Sequence, residues 1–275
     1  MNNILVSSQW LQKHLNDPNL IILDAHLPSN ISKTDSEIER LQIKNARLFD
    51  IKNEFSDLYN SLPNTFPSKK DFETSSRDIG INKNSLIVVY DQIGIYTSPR
   101  VWWMFKTMGH ENVYILNGGL PDWITKEYET EEKQNRTYSI GNFKALQDRN
   151  AIKNWKQVLE NLNSKEFTVL DARSSDRFKG ETKEPREGLR SGCIPNSKNL
   201  PFTELIENGK FKSVEELKEI FDQLQVENND LVFSCGSGIT ACIILVASQL
   251  ISENNTAIYD GSWTEWGQDH DLPIN

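Results

Sequence analysis

Long apolar runs are missing from this 275-residue sequence. The longest strongly apolar stretch, around Ile243 to Ala247, is far short of the roughly 20 residues that a membrane-spanning helix needs. The N-terminal MNNILVSSQWLQKHL has neither a basic start nor a long apolar stretch, so no secretory signal is expected. Cysteine is scarce and odd in number (Cys193, Cys235, Cys242), at irregular spacing. That excludes a disulfide framework and points to a reduced, cytoplasmic setting. The four histidines (His14, His26, His110, His270) are scattered, and no His/Cys cluster has zinc-ligand spacing, so no metal is expected. Positive charge is also short: 30 Lys and Arg against 39 Asp and Glu leave a net charge of −9. Such a chain repels phosphate, which argues against nucleic acid or an anionic membrane as partner.

What remains is ordinary globular material. A hydrophobic fraction of 37% with 9% aromatics excludes disorder as the main state, and the length suggests about two domains.

The first positive signal is a repeat. Leu20-Ile-Ile-Leu-Asp-Ala25 is matched by Phe167-Thr-Val-Leu-Asp-Ala172, and Leu86-Ile-Val-Val-Tyr-Asp91 by Asp230-Leu-Val-Phe-Ser-Cys235. Tyr114-Ile-Leu-Asn-Gly-Gly119 with Trp123 is matched by Ala257-Ile-Tyr-Asp-Gly-Ser262 with Trp266. Three landmarks recur in one order at a nearly constant separation, so the chain reads as two copies of one unit. Within each copy, short apolar β-branched runs alternate with helical periodicity, as over Ser8 to Leu15, Pro99 to Met108, Ser213 to Leu224 and Ala241 to Ile251. Continuous apolar strands imply a sheet covered on both faces, hence parallel strands with crossover helices. Glu129 to Asn150 is polar and lacks a clear period. The expected fold class is α/β, with a unit over 1–135, a linker over 136–150 and a second unit over 151–275.

In open parallel sheets, sites form where strands run into helix N-termini. The second copy has Ser234-Cys235-Gly236-Ser237-Gly238-Ile239-Thr240-Ala241 at that place, followed by an apolar helix. Two glycines around a serine allow a tight loop whose N–H groups point inward, and such a nest favours an anion. A cysteine held there is favoured as thiolate, the nucleophilic form. Cys242, inside the apolar helix, reads as a buried structural residue. The first copy has Asp91 at the equivalent place and is expected to be catalytically silent.

The loop Cys235-Gly-Ser-Gly-Ile-Thr-Ala241 resembles the active loop of the two-domain rhodanese superfamily, and within it of 3-mercaptopyruvate sulfurtransferases. The resemblance extends to Ser98-Pro-Arg-Val-Trp-Trp-Met104, Asn117-Gly-Gly-Leu-Pro-Asp-Trp123, Asp171-Ala-Arg173, Arg177-Phe-Lys-Gly180, Glu184-Pro-Arg186 and Asp260-Gly-Ser-Trp-Thr-Glu-Trp266. It implies two tandem rhodanese-like domains, each a parallel sheet flanked by helices. It also implies that Cys235 takes sulfur from mercaptopyruvate as a persulfide, releases pyruvate, and passes the sulfur to cyanide or a thiol such as thioredoxin. The N–H groups from Gly236 through Gly238 and Ile239 to Thr240 would stabilise the sulfur. Ser237 would polarise the substrate carbonyl or help relay a proton, and Arg177 and Arg186 would hold the substrate carboxylate through bidentate guanidinium contacts. No cofactor is implied. Arg173 and Arg100 are left to structural roles.

Two departures from that family's pattern stand out. Its usual His-Ile-Pro-Gly segment reads Gln42-Ile-Lys-Asn-Ala46 in the first half and Gly192-Cys193-Ile-Pro-Asn196 in the second. Gln42 can hydrogen-bond but cannot shuttle a proton, so a His-assisted serine is not expected; Asp35 and Glu37 lie nearby and receive no role. Cys193 reads as a packing substitution, with a redox partner of Cys235 as the sharper alternative. Thiosulfate, a dianion, suits a cationic loop better than the neutral Gly236-Ser237-Gly238. A Cys-x5-Arg phosphatase would need arginine where Ala241 stands. A non-enzymatic persulfide carrier would not need the arginine pair.

Overall fold

The computed structural model describes residues 4–25, 27, 38–226, 230–268 and 270–275; His26, Asp35 and Glu37 lie outside them. The first half holds a five-stranded sheet in the order Leu5–Val6, Val113–Leu116, Leu86–Tyr90, Leu20–Asp24, Arg47–Leu48, with every pairing parallel. The second half repeats the order with Ile152–Lys153, Thr256–Tyr259, Asp230–Ser234, Phe167–Asp171 and Lys198–Asn199, again parallel throughout. Register fixes the correspondence. Asp24 pairs with Tyr90, and Asp171 with Ser234. Asp91 and Cys235 are therefore equivalent, each the first residue beyond its central strand.

The apolar runs form strands because both faces are covered. Alternate residues of Leu86–Tyr90 enter different cores: Ile87 and Val89 on one face, Val88 and Tyr90 on the other. Leu231 and Phe233 likewise oppose Val232. One core runs through both halves, because the helices that follow the two central strands, Ser98–Thr107 and Ala241–Ile251, pack against each other. Position explains composition here: Ala241–Ile251 is apolar nearly all round because it is enclosed on all sides. Helix Val214–Leu224 starts on the expected serine. Ser213 and Glu216 form a reciprocal capping box that satisfies two N-terminal donors.

The polar stretch between the halves is packed rather than free. Thr130–Glu132 pairs antiparallel with Leu41–Ile43. Farther on, the N–H groups of Gly141, Phe143, Leu146 and Asp148 donate to the carbonyls of Arg77, Ile81, Met108 and Thr107. Phe143 and Ala145 are buried against the first half. Backbone bonds to loop and helix-end carbonyls hold this strap, which is why its sequence carries neither a strand nor a helix period. Among the described residues, no helix is long and apolar enough to cross a membrane.

Candidate active site

The central strand Asp230–Ser234 runs into the Cys235–Thr240 loop and then into helix Ala241–Ile251. Cys235 is 2% exposed, and the Gly238 N–H donates to its Sγ over 3.1 Å. Gly238 needs to be glycine: its φ is +79°, and a Cβ there would stand 3.2 Å from both Arg100 Nη1 and the Asp260 carbonyl oxygen. Helix Ser262–Trp266 pins the loop from below. The N–H groups of Trp263 and Thr264 donate to the carbonyls of Cys235 and Gly236, each over 2.9 Å. The Cys235 N–H donates to Ser262 Oγ, and Thr264 Oγ1 donates to the Gly236 carbonyl.

The other expected residues gather at this loop to different degrees. Ser237 is half-buried, and its Oγ accepts from Arg186 Nη2 at 3.4 Å and from Asn64 Nδ2 at 3.1 Å. Arg186 is exposed and also donates to Thr264 Oγ1 over 2.8 Å. Arg177 reaches the loop at Gly236, where a Cβ would lie 3.3 Å from its Nη2. Its guanidinium is engaged, with Nη2 2.6 Å and Nε 3.2 Å from the two oxygens of Glu184. The Glu184 side chain is 2% exposed and shared with Arg173, which also grips Asp171. Ile239 is buried in the core, and Thr240 is half-buried at the helix start.

Asn64 had no sequence signal, because its partner Ser237 lies 173 positions away. Gln42 is turned away from the loop, donating to the Ala46 carbonyl and to Glu131 Oε1 on the antiparallel strap. The first-half amide that meets Ser237 is that of Asn64.

Neither other cysteine shares the environment of Cys235. Burial pushes the Cys242 thiol up to about 12, and its Sγ donates to the Gly238 carbonyl. Cys193 is 8% exposed and pairs through its backbone N–H and C=O with Asn275. Burial, and then the nearby Asp171 charge, raise its thiol. Iodoacetamide labelling of the native protein between about pH 6 and pH 9, read by peptide mass, is therefore expected to leave Cys242 unmodified. Labelling of Cys242 at a rate comparable to Cys235 would overturn this.

The first-half loop is filled by its own carboxylate. Asp91 is buried and accepts from the N–H groups of Tyr96, Thr97 and Ser98 and from the Thr97 and Ser98 hydroxyls. In the second copy the loop brings the Gly238 N–H to the Cys235 sulfur; in the first, the loop donors close on a side chain of the chain itself.

Fold and site together define a duplicated parallel α/β protein in which one copy of the strand-end loop carries a cysteine and the other a carboxylate. The rhodanese-like domain profile matches residues 7–126 and again 154–269. The chain belongs to the rhodanese-like family, and it is a sulfurtransferase. It is 36% identical over 273 residues to the 3-mercaptopyruvate sulfurtransferase of Escherichia coli K12, covering 98% of this chain and 96% of that protein. It is 38% identical over 272 residues to a thiosulfate sulfurtransferase of Cricetulus griseus, covering 95% and 91%. The crystal structure of SseA from Escherichia coli, a 3-mercaptopyruvate sulfotransferase, superposes with a TM-score of 0.84 at 34% identity, covering 95% of this chain and 99% of that one.

Proposed function

We propose that the protein transfers sulfur from 3-mercaptopyruvate through a persulfide on Cys235, with Arg177 and Arg186 binding the donor's carboxylate. The Cys235 thiolate attacks the donor's thiol sulfur. The carbon–sulfur bond breaks, its electron pair passes to carbon, and the pyruvate enolate leaves and takes up a proton. The enzyme then carries Cys–S–SH. An acceptor thiolate, on thioredoxin or a small thiol, or cyanide, attacks the outer sulfur and returns Cys235 as thiolate.

The observation that carries this reading is the convergence on one loop of a hydrogen-bonded thiol, two arginines and an available hydroxyl. Asn64 and Arg186 both donate to Ser237 Oγ, so the Ser237 O–H is left to donate to the substrate carbonyl as negative charge develops there. The loop N–H groups, Gly238's in the lead, stabilise the sulfur anion in each half-reaction. Thiosulfate is disfavoured as the preferred donor because Gly236-Ser237-Gly238 is neutral and Glu184 offsets the Arg177 charge. Three free cysteines suit a reducing compartment such as the cytoplasm.

The deciding experiment compares pyruvate release from 3-mercaptopyruvate, with a thiol acceptor, to sulfite release from thiosulfate with cyanide. A kcat/KM at least about tenfold higher on mercaptopyruvate is expected, since each 1.4 kcal/mol of differential binding is tenfold. A higher value on thiosulfate reverses the donor assignment. Persulfide loading from a protein donor without pyruvate release would make the chain a carrier.

A further inference from the structure

The two halves cap each other. In each, a long connection separates an edge strand, Arg47–Leu48 or Lys198–Asn199, from the next α-helix, Lys69–Asp78 or Val214–Leu224; the second connection holds a short antiparallel hairpin, Ile206–Glu207 with Lys210–Phe211. Each connection reaches the opposite half through a matching triplet, Asn64-Thr-Phe66 or Gly209-Lys-Phe211. The first residue of each triplet is left-handed, with φ 60° at Asn64 and 75° at Gly209. The Phe66 N–H donates to Asp260 Oδ2 over 2.6 Å, and the Phe211 N–H donates to Asn117 Oδ1 over 3.0 Å. Asp260 and Asn117 are themselves equivalent, each the first residue beyond the strand next to the centre of its sheet. Gly209 presses on the Asp91 loop so closely that a Cβ on Gly94 would lie 2.5 Å from its carbonyl oxygen. Asn64 meets Ser237 of the Cys235 loop.

One side chain breaks this symmetry. Arg100, the third residue of helix Ser98–Thr107, is 1% exposed and reaches out of the cysteine-free half. Its Nη2 donates to Asp260 Oδ1 and to the Asn64 carbonyl, both over 2.8 Å, and its Nη1 donates to the Gly238 carbonyl over 3.3 Å. The third residue of the equivalent helix Ala241–Ile251 is Ile243, which cannot do this. Gly238 is thus held at both ends: its N–H on the Cys235 sulfur, its C=O on Arg100.

We propose that Arg100 is a positioning residue for the reaction, fixing Gly238 so that its N–H stays aimed at Cys235, and that the reactive loop is therefore set by the half without a cysteine. The inference rests on Cys235 being the reactive thiol. A guanidinium fork can serve three acceptors at once; an ammonium cannot hold the same geometry.

The test uses full-length Arg100→Lys, Asp260→Asn and Lys210→Gln. Lys210 pairs with Asp122 in the opposite cap, away from Cys235. Arg100→Lys is expected to lower kcat on both donors about tenfold while KM stays within about threefold, as for loss of charge-assisted bonds made off the substrate. The rate of Cys235 alkylation at neutral pH falls in parallel, a readout that a merely structural role would not move. Lys210→Gln keeps wild-type values for both. Arg100→Lys that folds with wild-type kcat and alkylation rate overturns the proposal. Should Arg100→Lys not fold, Asp260→Asn, which keeps an acceptor for the Phe66 N–H and removes the carboxylate that holds Arg100, decides: lower kcat on both donors with slower Cys235 alkylation supports the proposal, and unchanged values overturn it. Peptide mapping separates this from failure of the underlying reading, because inactivating label on a residue other than Cys235 would remove that reading itself.

Discussion

Cys235→Ser is expected to abolish transfer from both mercaptopyruvate and thiosulfate, by on the order of 10³-fold or more in kcat. The loss follows from what surrounds the side chain. Its bonded neighbour is a donor, the Gly238 N–H, which can stabilise an anion that already exists but cannot take a proton from a hydroxyl. A serine hydroxyl stays protonated near neutral pH and cannot carry a persulfide in any case. The substitution leaves the loop intact, because the loop is held through backbone atoms: Trp263 N–H on the Cys235 carbonyl and Cys235 N–H on Ser262. Unfolding temperature should stay within a few degrees of wild type. Intact mass after donor treatment should show one added sulfur on the wild type and none on the variant. Turnover above about a tenth of wild type, or sulfur retained on the serine variant, would move the nucleophile to another residue. Cys193→Ala serves as the comparison, since Cys193 is occupied in packing and in its backbone pairing with Asn275.

What could be read from the sequence was what repeats or what is local. The strand pairs Leu20–Asp24 with Leu86–Tyr90 and Phe167–Asp171 with Asp230–Ser234 announce themselves as matching apolar runs, and their register makes Asp91 the counterpart of Cys235. Ser213 as a helix start needed only its own neighbours. Contacts formed when one half meets the other were not legible. The Asn64–Ser237 bond spans 173 positions and the Arg100–Asp260 pair 160, and no local pattern encodes either. Arg100 in particular sits in a helix whose apolar neighbours suggested only packing. The polar strap escaped for a different reason: backbone donors at Gly141, Phe143 and Leu146 hold it, and backbone donors leave no mark in side-chain periodicity. The Gln42 amide is spent on the Ala46 carbonyl and on Glu131, a partner 89 positions away that its own segment does not announce.

The two arginines should separate when each is removed. Arg186 is exposed, and among the described residues its hydrogen bonds go to the hydroxyls of Ser237 and Thr264, so Arg186→Ala should leave unfolding unchanged. It should lower kcat/KM for mercaptopyruvate roughly 10- to 100-fold, the value of a charge-assisted hydrogen bond to a carboxylate. Arg177 is different because Glu184 is buried beneath it. Asp171, Glu184, Arg173 and Arg177 form a neutral set. Deleting Arg177 leaves that set one negative charge in excess beside the proposed carboxylate site. Arg177→Ala should therefore cost more than Arg186→Ala in kcat/KM, losing a donor and adding a repulsion. It should also destabilise the fold by about 1–3 kcal/mol, since a buried carboxylate loses one of its two cations. The double variant Arg177→Ala/Glu184→Gln tests the charge argument directly. Removing the stranded carboxylate's charge should restore part of the lost kcat/KM without restoring the missing donor. Steady-state kinetics on both donors, with denaturant unfolding of all three variants, reads every arm. If the double variant is no better than Arg177→Ala, electrostatic repulsion is not the cause, and the arginine acts only through the contact it makes with substrate.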